Sequence, residues 1–90
     1  MASNDFEKLR EQLDKDNTWP QPYMFKFIVP NNDGKLEQVK SYLPQDGKLS
    51  YKHTKSLKYI SITCVAIMKS SNEIIEISKK ASSISGVMTL

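Results

Sequence analysis

The pattern of apolar and polar positions changes period several times along the chain, and each change marks an element. The sharpest change lies between positions 23 and 39. Tyr23, Phe25, Phe27 and Val29 alternate with Met24, Lys26 and Ile28; then Asn31, Asn32, Asp33 and Gly34 form a polar turn, and Leu36 and Val39 resume at helical spacing. Alternation at period two predicts a strand over 23–29, and the lysine in the even-numbered set turns the odd-numbered aromatics toward the core. Pro30 closes the strand because it has no N–H to give a ladder. The turn residues both bend the chain and suit a helix N-cap. The helix that follows carries Leu36, Val39, Tyr42 and Leu43 along one side, until Pro44, Gln45, Asp46 and Gly47 stop it.

Upstream, Phe6, Leu9 and Leu13 form a narrow stripe that predicts a short amphipathic helix over 4–15, with Asn4 and Glu7 in capping-box positions. Pro20 and Pro22 stiffen a connector over 18–22, on which Trp19 reads as an anchor laid against the domain. Downstream, 48–55 and 58–68 predict two strands joined near Ser56 and Leu57. In the second of these, Ile60, Ile62, Cys64, Ala66 and Met68 make the stronger core face, and Tyr59, Ser61, Thr63, Val65 and Ile67 make the other. Ser70 and Glu73 open a further helix with capping-box spacing, Ile74, Ile77, Ala81 and Ile84 hold its buried face, and Glu76 with Lys80 makes an i, i+4 pair outside. Gly86 reads as its terminating glycine, and 87–90 as a last short strand.

After the first helix the order is β-α-β-β-α-β. The expected fold class is therefore α+β: a ferredoxin-like split βαβ sandwich, with an antiparallel four-stranded sheet and two helices on one face, preceded by a short N-terminal helix. The expected division is residues 1–19 as amphipathic helix and proline-rich connector, and 20–90 as the folded domain. Met24, Ile28, Val65 and Ile67 then share the sheet face opposite the helices. Such a patch calls for cover, from the Phe6/Leu9/Leu13 stripe or from a second molecule.

Composition narrows the picture further. Ninety residues hold one domain. The net charge of +3 is unevenly placed: residues 1–45 carry six Lys/Arg and seven Asp/Glu, whereas 46–90 carry seven and three, and Arg10 is the only arginine. The single Cys64 sits in an apolar alternation and reads as a core residue. A lone thiol and a charged N-terminus unlike a secretory leader point to a reducing cytoplasm. The apolar stretches fall short of the ~20 residues of a membrane helix, so no membrane association is expected.

Two groups of residues could carry binding chemistry. Asn31, Asn32, Asp33, Gly34 and Lys35 could hold a small anion against the N–H groups of the helix start, although the same residues serve as a capped turn without any ligand. Lys48, Lys52, Lys55 and Lys58, with Tyr59 among them, could track a single-stranded nucleic acid, whereas a solvated edge strand guarded by lysines is the plainer and favoured reading. The strand around Tyr59 lacks the alternating glycine and aromatic residues of an RNA-recognition motif. His53 has no partner at triad or metal-ligand spacing, no cofactor motif is present, and Arg10 alone makes no arginine cradle for acylphosphatase-type chemistry. No catalytic residue is assigned, and a non-enzyme is expected.

The stretch Tyr-Met-Phe-Lys-Phe-Ile-Val-Pro at 23–30 and the closing Ile-Ser-Gly-Val-Met-Thr-Leu at 84–90 resemble the YbeD-like family of small, functionally uncharacterised bacterial proteins, over roughly residues 20–90. That resemblance implies a ferredoxin-like sandwich similar to the ACT regulatory modules, which bind small ligands, often amino acids, where the first strand turns into the first helix. Residues 29–36 match that pattern of strand end, polar turn, glycine and leucine. The resemblance thus implies a stand-alone regulatory or interaction module with a small anionic ligand or a protein partner. It also favours a homodimer through the open sheet face, because ACT-like modules commonly associate.

Overall fold

The two long alternating segments build the centre of the sheet. In a computed structural model, which describes the backbone of residues 3–16 and 18–90 and side chains from Phe6 to Lys15 and from Thr18 onward, β1 (Gln21–Pro30) pairs antiparallel with β3 (Tyr59–Met68) over its full length. Around them stand α1 (Ser3–Asp16), α2 (Lys35–Tyr42), β2 (Lys48–His53), α3 (Ser71–Ser82) and β4 (Met88–Thr89). The protein is α+β, with one antiparallel sheet in the order β2-β3-β1-β4 and three helices.

The buried faces follow the alternation. Phe25, Phe27 and Val29 of β1 and Ile62, Cys64, Ala66 and Met68 of β3 join Val39 and Leu43 of α2 and Ile74, Ala81 and Ile84 near α3 in one hydrophobic core. Tyr23 meets Phe25 edge-on at 4.9 Å between ring centroids, extending the aromatic row along β1. Cys64 is fully buried, and its thiol is pushed above its ordinary pKa, first by loss of water and then by the charge of Asp46. It is an inert core residue, since the thiolate is the reactive form.

Several boundaries differ from those expected, each for a local reason. β1 begins inside the proline segment, at Gln21, because β4 reaches only Phe27 and Ile28 and leaves Pro22 with a strand on one side alone. Pro30 is the last residue of β1, opposite Tyr59. β2 ends at His53, because the Thr54 N–H and hydroxyl bond to Tyr59 and Leu57 turns the chain at a φ of 59°. No side chain caps α2: Gly34 occupies the cap position with a left-handed φ of 68°. Helix α3 has its Ser70 cap, whose hydroxyl accepts from the Glu73 N–H at 3.3 Å. The Glu76–Lys80 pair is not formed; the ion pairs among the described residues are Glu7–Arg10 and Glu37–Lys40, each at 3.7 Å. The capping role expected of Asn4 falls on a side chain outside those described.

Gly86 does not terminate α3, which ends at Ser82. It lies in the following turn, with a φ of 83°, and a Cβ there would stand 2.7 Å from Pro30 Cγ. Gly86→Ala is therefore expected to destabilise the protein by about 1–3 kcal/mol, the range of an overpacked site. A urea midpoint equal to that of the unsubstituted chain would show that the turn relaxes freely.

Helix α1 does not lie on the open sheet face. It packs on α3: Phe6 and Leu13 are buried, Leu13 belongs to the main core, and the Lys79 ammonium stands 5.8 Å from the Phe6 ring centroid. The Trp19 indole N–H donates to the Asp14 carboxylate at 3.4 Å while its ring packs on the core, so Trp19 anchors the connector as expected. In consequence α3 is buried on two sides. Ile74, Ala81 and Ile84 join the main core, whereas Ser71, Ile75 and Ser78 lie on the side that α1 covers.

Candidate functional site

With α1 on α3, the sheet keeps one face open to solvent. The pleat and the pairing decide which residues stand on it. Met24 lies opposite Val65, which lies opposite Lys48; Ile28 lies between Met88 on one side and Ser61 on the other, and Ser61 lies opposite Lys52. Met24, Ile67, Met88 and Leu90 are 59%, 60%, 51% and 64% exposed, and Val65 is exposed beside them. Lys26, opposite Thr63, stands among these aliphatic side chains. Across the sheet the face thus grades from lysines on β2 to aliphatic residues on β1 and β4. None of the four strands carries an aspartate or glutamate.

The turn at 31–35 and the β2–β3 connection that carries Lys55 and Lys58 meet at one end of this sheet. The Asn31 N–H donates to the Lys58 carbonyl at 2.8 Å, and its side-chain amide donates to the Leu57 carbonyl at 2.9 Å. The Lys35 ammonium donates to the Ser85 carbonyl at 2.8 Å, and the Lys35 N–H to the Asn32 carbonyl at 3.1 Å. Asn31 and Lys35 therefore tie three loops together, which is structural work that needs no ligand. Asn32, Asp33 and Gly34 are exposed, with Asp33 at a φ of 54°, and its negative charge two residues before α2 disfavours an incoming anion.

Lys48 and Lys52 share the open face with Tyr59, while Lys55 and Lys58 lie in the connection between β2 and β3. All are exposed. Leu49, Tyr51 and His53 point to the opposite side, where β2 extends beyond the core. There a cleft of about 250 Å³ is lined by Glu37, Lys40, Leu43, Pro44 and Leu49 among others. Lys40 stands 5.7 Å from the Tyr51 ring centroid, and Tyr51 and then Glu37 push its amine above the ordinary value. The cleft is smaller than ordinary ligand sites, and its charges are already paired.

Alternation pointed to Met24, Ile28, Val65 and Ile67 as members of the open face. It did not reveal Met88 and Leu90, because their placement depends on how a two-residue strand registers against β1. Among the described residues no group of His, Cys, Asp and Glu is placed to hold a metal ion, and no helix is long and apolar enough to cross a membrane.

No protein-family model and no curated protein matches the chain. Among solved structures, the solution structure of protein HP0495 from H. pylori superposes with a TM-score of 0.61 at 24% sequence identity, covering 82% of this chain and 85% of that one. At that identity the likeness shows a shared fold alone.

Proposed function

We propose that the protein is a non-catalytic interaction module that works through the open face of its sheet. The observation that carries this reading is the exposure of Met24, Ile67, Met88 and Leu90 on one surface that no element covers among the described residues. Contiguous apolar surface of this kind on a small domain marks an interface. The split βαβ, ferredoxin-like arrangement is supported by the central position of β1 and β3 and by helices α2 and α3 as the two connections between strands. Affiliation with the YbeD-like family and an ACT-like regulatory role rest on the resemblance of residues 20–90. A reducing, cytoplasmic setting is supported by the lone buried Cys64. Sensing of a small anion at 31–35 has less support, since Asn31 and Lys35 are engaged in ties between loops.

The alternative, binding of single-stranded nucleic acid, has one observation in its favour: Lys48, Lys52 and Tyr59 stand on the same face. Against it, the face offers one aromatic ring where a stacking platform uses several.

Site-specific photo-crosslinking tests the interaction reading. A photoreactive phenylalanine analogue replaces Ile67 on the open face, or Lys80 on the exposed side of α3, in cells producing the protein. A discrete adduct from position 67 and none from position 80 is expected. Absence of an adduct at 67, or the same adducts from both positions, would remove the open face as the working surface.

A further inference from the structure

The charge pattern of the open face identifies the class of partner it fits. This step rests on the interaction reading above and goes beyond it. The four strands hold Lys26, Lys48 and Lys52 and no carboxylate side chain; the ten acidic residues of the chain lie in helices and turns. On the open face the basic and the apolar parts are side by side. One row runs from Lys48 through Val65 to Met24, and another from Lys52 through Ser61 and Ile28 to Met88. With strands about 4.8 Å apart, the β2 lysines stand about 10 Å from the aliphatic column of β1.

We infer that this face receives an amphipathic helix of a partner protein, with its aliphatic stripe on Met24, Ile28, Val65 and Met88 and carboxylates along the flank that faces Lys48 and Lys52. A helix with its side chains is about 10–12 Å across, so one lying over β1 extends about 5–6 Å toward β2, and the long side chains of Lys48 and Lys52 span the remaining distance to its flank. The Lys26 stem contributes apolar surface there, and its ammonium reaches outward to the same flank. A second copy of the chain is a poor occupant. A two-fold contact places Lys26, Lys48 and Lys52 of both molecules in one interface with no carboxylate side chain from either sheet, and like charges brought together disfavour association.

The test uses the full chain and three labelled probes followed by fluorescence anisotropy: a helical peptide with a leucine stripe flanked by glutamates, the same peptide with lysines in place of the glutamates, and oligothymidylate. The glutamate peptide is expected to bind about tenfold or more tightly than the lysine peptide, and to weaken as salt is raised. Its amide shift changes are expected on β1, β3 and β4, and Lys26→Glu combined with Lys52→Glu should abolish the preference without moving the urea midpoint. Equal affinity for the two peptides, or binding of neither, overturns the proposal. Tighter binding of oligothymidylate overturns it in favour of nucleic acid, and a dimer that shields the face at working concentration overturns it in favour of self-association. Adducts from position 67 together with any of these outcomes would keep the open face as the working surface and reject only the acidic helix. Loss of those adducts would reject the surface itself.

Discussion

Ile62→Ala is expected to destabilise the protein by about 2–5 kcal/mol, as a large-to-small change in a core that cannot collapse around it. Ile62 is fully buried on β3, with Phe27 of β1 on one side and Tyr51 of β2 on the other. Its loss removes apolar burial and leaves a cavity between the sheet and the helices. A domain of this size has on the order of 5–12 kcal/mol in total, so the variant loses a large share of its stability. Lys52→Ala, one step along the β2–β3 pairing opposite Ser61 and exposed on the other face, is expected to change stability by less than about 0.5 kcal/mol. Urea unfolding of the two variants measures both values. Equal midpoint shifts would mean that the faces of β2 and β3 are assigned the wrong way round.

Ile75→Ala is expected to cost a comparable amount, about 2–5 kcal/mol, and it tests the position of α1. Ile75 is fully buried but stands outside the main core, on the side of α3 that α1 covers. The contact of Lys79 with the Phe6 ring fixes that side, because Lys79 is one helical turn beyond Ile75. Were α1 docked elsewhere, Ile75 would stand in water and its truncation would fall within about 0.5 kcal/mol. A urea midpoint unchanged in this variant would therefore remove α1 from α3 and return it as a candidate cover for the open sheet face. A shift of the expected size leaves that face to a partner.

The order of elements and the inward faces of β1 and β3 were legible in the chain itself. The period of two in β1 and β3 and the spacing of Val39, Leu43, Ile74, Ala81 and Ile84 are local properties, and a buried face must be continuous to exclude water. The same holds for Cys64 as a core residue and for Trp19 as an anchor. Capping and pairing were less legible. Asn31 suits an N-cap by chemistry, yet it bonds Leu57 and Lys58, which are remote in sequence and adjacent only in the fold.

Where the surplus apolar surface goes is settled by packing between distant segments. The stripe of Phe6, Leu9 and Leu13 states that something covers it but not what, since any apolar surface of similar width would serve. Its partner proved to be α3, whose second buried side at Ile75 reads in sequence as one more isoleucine in a helix already supplied with an inner face. Likewise Met88 and Leu90 join Met24 and Ile28 on the open face only through the register of β4 on β1. The faces of single elements are set by neighbours a few residues away. The choice among partners for those faces is set by contacts between segments far apart in sequence, and hydrophobic attraction, being non-directional, leaves no local signature of that choice.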